Sequence, residues 1–198
     1  MIDLQVLKQY PFKIIQYEKD TFIFEKDNTP RYYFQIITGG VKMSYYNEKG
    51  NEFIQGIFGK NRSFGEPPLI ANLNYPANAI ALSTCSIIRV PKPDFEQLLL
   101  DHQNIHLNVT KMLSKRLYFK AIMANGITSN SAEKAIISLF DYIKINVYNE
   151  TEAFSCRIDL TRKNIAGLTG LTTETTIRKI KEMESQKRLK ILDGKVYY

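Results

Sequence analysis

The chain has 198 residues, 44% of them hydrophobic and 24% charged, with a net charge of +7. That length is enough to bury a core in one or two domains. No apolar run is long enough to span a bilayer, and the N-terminus, MIDLQVLKQYPFK, is mixed from the start, so a cytoplasmic protein without a membrane segment or signal peptide is expected. The positive balance suits a polyanionic partner without proving one.

Residues 1 to about 95 are strand-rich. Short aromatic and β-branched runs recur, FKIIQY, TFIFE, YYFQII, VKMSYY, FIQGIF, AIALST and SIIRV, and turn signals separate them at Asp27-Asn28, Gly39-Gly40, Asn47 to Gly50 and Asn72 to Asn74. Many short strands at regular spacing predict an antiparallel roll or barrel, with the clearest hairpin over Met43 to Phe53. Cys85 and Cys156 are the only cysteines. Far apart and in apolar or strand-like settings, they read as buried thiols of a reducing cytosol.

From about Pro93 to Gly126 the pattern turns helical. Asp94 is expected to cap a short helix, FEQLLL, and a longer one starts near Asn104. The long helix carries two apolar stripes, Ile105, Val109, Met112, Phe119 and Met123, and beside them Leu113, Leu117, Ala121 and Ala124. One sheet needs less than this width. A stripe on the roll and a stripe on a twin helix account for both, with their assignment left open. His102 and His106, at helical spacing, are expected to be solvated rather than metal-bound. Gly126 to Asn130 is the expected hinge. A further helix follows from Ser131 or Ala132, with Ile136, Leu139, Phe140 and Ile143 on one face.

The stretch DLTRKNIAGLTGLTTETTIRKIKEME, Asp159 to Glu184, predicts two short helices and a tight turn. Thr161 caps the first, Gly170 allows the turn and Thr172 caps the second. On the second, Thr176, Ile180 and Met183 share a buried stripe, leaving Thr173, Glu174, Ile177, Arg178 and Lys181 outward. Glu accepting from cytosine N4 and Arg gripping guanine make such a face suited to base edges. Between Thr161 and Lys190 eight Lys or Arg face three Glu, so most of the positive excess sits here. After it, RLKIL-DG-KVYY predicts a hairpin turning at Asp193-Gly194. There is no catalytic constellation, so an enzyme is not expected.

The spacing TR-x-x-I-A-x-x-x-G-x-T-x-E-T-x-x-R resembles the helix-turn-helix signature of the Crp–Fnr family of bacterial transcription regulators. The resemblance implies an α+β fold with an N-terminal antiparallel β-roll like a cyclic-nucleotide-binding domain (residues 1–100), a long dimerisation helix (101–126) and a C-terminal winged helix-turn-helix (127–198). It implies a homodimer on double-stranded DNA with a near-palindromic operator, and RNA polymerase as a further partner. Glu174 and Arg178 match the family's base-reading pair, while Thr173 stands where many members carry Arg or Ser. The expected DNA-binding set is Thr161, Arg162, Thr172, Thr173, Glu174, Thr175, Ile177, Arg178, Lys181, Lys187 and Arg188. The expected dimer seam draws on Ile105, Val109, Met112, Leu113, Leu117, Phe119, Lys120, Met123 and Ala124.

RYYFQIITGGVKMSYYNEKGNEFIQGIF followed by SFGEPPLI is similar to the family's nucleotide-binding roll, with Phe64, Gly65 and Glu66 at the ribose-phosphate turn. Glu66 could equally make a plain surface contact. The Arg-Ser pair that neutralises a cyclic phosphate in the family is replaced by Pro76-Ala77, and no residue from Asn72 to Leu82 is cationic. Pro67 and Pro68 also remove backbone donors, and the family's Thr-Ser pair on the long helix is Lys120-Ala121. A response to cyclic AMP is therefore not expected. Two cysteines are too few for an iron–sulfur cluster, and no cofactor is expected. The alternative reading is a sensor whose roll binds an unidentified small molecule that gates DNA binding.

Overall fold

The computed structural model describes residues 2–48, 50–128 and 131–198. It divides into two compact units, Met1–Asn47 with Ile54–Lys115, and Glu48–Phe53 with Arg116–Tyr198.

The strands of residues 13–91 form two four-stranded sheets. One contains β1 (Lys13–Tyr17), β3 (Tyr32–Thr38), β6 (Ser63–Phe64) and β8 (Cys85–Pro91), in the order β1-β8-β3-β6. The other contains β2 (Phe22–Phe24), β4 (Val41–Tyr46), β5 (Glu52–Phe58) and β7 (Asn78–Ala81), in the order β2-β7-β4-β5. Alternation along β3 and β8 separates two cores. Tyr33, Ile88 and Val90 point to one face and join Phe95, Leu98, Ile105 and Val109. Phe34, Ile36, Cys85 and Ile87 point to the other, inside the roll, and join Phe24, Val41, Met43, Phe64 and Tyr75. Each sequence-predicted strand forms. The two-residue β6 was not predicted, nor was the helical turn α1 (Leu4–Leu7).

The helices of the first unit follow their caps. The short α2 (Glu66–Ala71) carries its two prolines at the first positions, where the missing N–H is an orphan anyway. In α3 (Lys92–Asp101) the N-cap is Pro91, not Asp94, because Pro93 already fixes a helical φ in the first turn. Asp94 instead lies within that turn, where the helix dipole favours its charge. His102 closes α3, and its ring meets Tyr10 edge-on at 6.1 Å.

The long helix α4 (Gln103–Thr128) includes Gly126 and Thr128, so the expected hinge is helical there; Ser129 and Asn130 lie outside the described residues. The reason is packing in the second unit. A Cβ on Gly126 would stand 3.2 Å from Ala135 Cα and 3.1 Å from Ser138 Oγ, so this position lets two helices approach.

That second helix is α5 (Ala132–Tyr142), capped by the Ser131 hydroxyl, which accepts from the Lys134 N–H at 3.3 Å. Ile136, Leu139 and Phe140 are fully buried, and Ile143 begins a π-helical turn, Ile143–Val147. Against α5 pack α6 (Arg162–Thr169) and α7 (Thr173–Ser185). A small sheet completes the unit, ordered β10 (Lys190–Leu192), β11 (Lys195–Tyr197), β9 (Arg157–Ile158). Asp193 (φ 48°) and Gly194 (φ 73°) both take positive φ, as a two-residue hairpin turn requires. The unpredicted β9 pairs with β11, and the Tyr198 hydroxyl donates to Asp141 at 2.7 Å, fastening the C-terminus to α5.

Candidate nucleic-acid interface

Two threonine caps and one glycine position α7. The Thr161 hydroxyl accepts from the Asn164 N–H at 3.1 Å and the Thr172 hydroxyl from the Thr175 N–H at 3.1 Å, each removing an orphan donor at a helix start. Gly170 takes φ 71°, ψ 17° and donates its N–H to the Ala166 carbonyl; a side chain would strain this left-handed cap. Leu171 then leads to Thr172 without an added residue.

The two faces of α7 separate as their spacing predicts. Thr176, Ile180 and Met183 are fully buried, whereas Thr173, Glu174, Ile177, Arg178 and Lys181 are exposed. Glu174, Arg178 and Lys181 have no hydrogen-bond or ion-pair partner among the described residues. A helix that needed these charges for its own stability would tie them to neighbours, as Lys179 is tied to Glu182 at 2.7 Å. Here three charges stand uncommitted on one face.

The remaining predicted positions divide. Thr161 and Thr172 use their hydroxyls in the caps, and Thr172 also donates to or accepts from Thr175 at 2.9 Å. Arg162 is half-buried at the first position of α6, with burial lowering its affinity for a proton and the nearby Glu184 charge opposing that. Lys187 is exposed with φ 60°, just past α7. Arg188 is not free: its guanidinium pairs with Glu133 of α5. That ion pair joins residues distant in the chain, and nothing local signals it.

The buried Thr176 hydroxyl lacks a hydrogen-bond partner among the described residues. An unsatisfied buried hydroxyl costs about 1–3 kcal/mol. Thr176→Val, with nearly the same shape, is therefore expected to raise unfolding free energy by about 1 kcal/mol, read as a higher midpoint in urea at unchanged slope. A lower midpoint would show that the hydroxyl is satisfied after all.

In the roll, Phe64, Gly65 and Glu66 come together with Phe24 and Tyr75. Phe24 stacks on Tyr75 at 3.6 Å between centroids and 8° between planes, and Phe34 stacks on Phe64 at 5.3 Å. Gly65 (φ 77°) lies under that pair, where a Cβ would stand 3.1 Å from the Phe24 ring and 3.3 Å from the Tyr75 ring. Glu66 is fully buried, which corrects the surface-contact reading. Burial, and secondly the Glu66 charge, push the Tyr75 phenol well above its ordinary pKa. Ala77 is buried and Pro76 exposed beside this cluster. Sequence reasoning missed one cation on the inner face, Arg89. Its signal was there: it follows Cys85 and Ile87 at the two-residue period of a buried strand face.

The long helix resolves its stripes. Ile105 and Val109 are buried in the first unit's core, with Met112 and Leu113 packed against it, and Met123 is buried further along. Ile105, Val109 and Met123 are thus buried within the chain, and Met112 and Leu113 partly so. Phe119 packs on Tyr142, at 4.3 Å between rings. The uncovered side carries Leu107, Leu117 (72% exposed), Tyr118 (62%), Lys120, Ala121 and Ala124.

Comparison with known proteins follows the same outline. The cyclic nucleotide-binding domain family matches residues 14–102. An HTH-type transcriptional regulator ArcR of Staphylococcus haemolyticus is 24% identical over 200 residues, covering 97% of this chain and 84% of that protein. The cAMP-activated global transcriptional regulator CRP of Haemophilus influenzae is 25% identical over 173 residues, covering 85% and 75%. Among solved structures, the c-di-GMP responsive global regulator CLP of Xanthomonas campestris shares the fold with a TM-score of 0.77 at 18% identity, covering 98% of this chain and 96% of that one. No described helix is long and apolar enough to cross a membrane.

Proposed function

This chain belongs to the Crp–Fnr family of transcription regulators, and from that premise we propose that it acts as a homodimer reading a near-palindromic DNA operator without a response to cyclic AMP. The observation that carries the reading is α7, a helix held by two caps and a left-handed turn that presents Glu174, Ile177, Arg178 and Lys181 unpartnered to solvent. Two such helices related by a two-fold axis fit successive major grooves about one helical turn apart. Arg178 takes a guanine edge and Glu174 a cytosine amine. Lys181 and Lys187 take phosphates, and the first-turn positions Thr161, Arg162, Thr172, Thr173 and Thr175 approach the backbone or bases around them. Arg188 positions α7 through Glu133 and adds its charge from there.

Ile177 offers hydrocarbon, 39% exposed, between Glu174 and Arg178. On this helix its chemical complement is a thymine methyl. Replacing the contacted thymine by uracil removes that methyl alone and should weaken binding about fourfold, from about 0.8 kcal/mol per buried carbon. An unchanged affinity with every thymine replaced in turn removes Ile177 from the base-reading set.

Residues 1–100 act as a sensor-like roll, 101–126 as the dimerisation helix and 127–198 as the DNA-binding domain. The exposed side of α4, with Leu117 and Tyr118 flanked by Ala121 and Ala124, is the seam: two large apolar side chains beside small ones allow close helix approach. A dimer by analytical ultracentrifugation at micromolar concentration tests it, and a monomer contradicts it. RNA polymerase is the partner that the family implies.

The absence of a cyclic-AMP response rests on Pro76 in place of a phosphate-binding arginine and on the aromatic rings over Gly65. Calorimetry with cyclic AMP should give no saturable heat. A micromolar dissociation constant would overturn this part of the reading while leaving DNA recognition standing.

A further inference from the structure

The inner face of the roll carries a positive charge, on Arg89, that no carboxylate among the described residues pairs with. Arg89 lies on β8 in line with Cys85 and Ile87, both fully buried in the roll core. Its neighbours directly across the ladder are Phe34 on one side and Lys13 on the other, so two cations sit face to face. Like charges directly opposite each other destabilise a sheet. No carboxylate among the described residues pairs with either. Half-buried Arg89 instead lies with its guanidinium over the Tyr32 ring, 4.1 Å from its centroid, and its charge acts on the Tyr17 phenol.

An aromatic ring holds a guanidinium in place without cancelling its charge. Taking a cation partly out of water without an anion is unfavourable, and an oxyanion bound bidentately removes the deficit. Arg89 and its cross-strand neighbour Lys13 lie on the same sheet face as Tyr17, so this face carries three possible donors. Beside them Tyr32 and Phe34, edge to face at 6.3 Å, provide an apolar wall. Burial raises the proton affinity of Tyr17 and Arg89 opposes it, consistent with a phenol that stays protonated and able to donate.

We propose that Arg89, Lys13, Tyr17 and Tyr32 form a binding site for a small organic oxyanion, a carboxylate or phosphate ester with an apolar body. This names a ligand class for the roll while leaving the DNA reading untouched. The site is separate from the turn at Gly65, where stacked rings occupy the space and Pro76 replaces the cation.

Calorimetric titration of the full-length protein with benzoate and phenyl phosphate, with benzamide as the uncharged control, tests it. Saturable binding of at least one anion is expected, at least tenfold tighter than benzamide. Arg89→Met keeps the stem on Tyr32 and should weaken it at least tenfold; Tyr17→Phe, which keeps the ring, should weaken it about threefold. The relative strength of the two anions distinguishes a carboxylate ligand from a phosphate ester. No saturable binding of either anion at millimolar concentration, equal binding of benzamide, or full affinity in Arg89→Met with an unchanged thermal melt overturns the site. A parallel titration with cyclic AMP keeps the readings apart: binding that Arg89→Met abolishes would place the nucleotide phosphate at Arg89, sinking the proposed lack of a cyclic-AMP response and sparing the oxyanion site.

Discussion

Replacing Arg178 by alanine should weaken binding to the specific operator by about 1–3 kcal/mol, roughly 5- to 150-fold, and relax the preference at one base pair in each half-site. The magnitude follows from what the side chain does not do at rest. Arg178 is exposed and has no partner among the described residues, so its loss leaves the folded domain intact and removes only contacts to DNA. Lys187→Ala is the informative comparison. A phosphate contact weakens all sequences alike and reduces the steepness of the salt dependence by about one counterion. Fluorescence anisotropy with specific and scrambled duplexes at several salt concentrations separates the two. Equal losses on both duplexes for Arg178→Ala would assign it to the backbone and leave base reading to Glu174 and Ile177.

Phe140→Ala should destabilise the second unit by about 3–5 kcal/mol, the range for a buried phenylalanine truncated to alanine. Phe140 is fully buried on α5, the helix on which α6 and α7 both pack, and its ring meets that of Tyr198 at 5.5 Å. Against a typical total of about 5–15 kcal/mol, such a loss leaves little reserve. DNA binding should fail with it, although Phe140 carries no polar group that could reach a base. Urea unfolding followed by circular dichroism measures the loss. A cost below about 1 kcal/mol would mean that α5 is not the platform of the helix-turn-helix.

What could be read from the sequence is what local chemistry decides. The caps at Thr161 and Thr172, the left-handed turn at Gly170 and the Asp193-Gly194 hairpin each depend on a few adjacent residues, and all form. The amphipathic split of α7 is equally local, since 3.6-residue periodicity alone places Thr176, Ile180 and Met183 inward. What escaped depends on distant partners. The strands β6 and β9 have two residues each and exist because Phe34 and Val196 lie beside them. Gly126 resembles a hinge in its sequence setting, yet the approach of Ala135 keeps it helical. Asp94 has a capping side chain, but the neighbouring proline moves the start of α3 ahead of it.

The roll shows the same division. The missing arginine at Pro76 is visible in the sequence, whereas the stacking of Phe24 on Tyr75 joins segments that only the fold brings together. Ile105 and Val109 lie on a stripe whose periodicity gives the width of a buried face without saying what covers it, and the chain's own core covers them.

The most direct test of the central claim is selection of bound sequences from random duplex DNA by the purified protein with no added ligand. A near-palindrome with two half-sites about one helical turn apart should be recovered, and lost when Arg178 and Glu174 are both replaced by alanine. Recovery of no common sequence, with binding that is weak, salt-sensitive and unaffected by that double replacement, would contradict it.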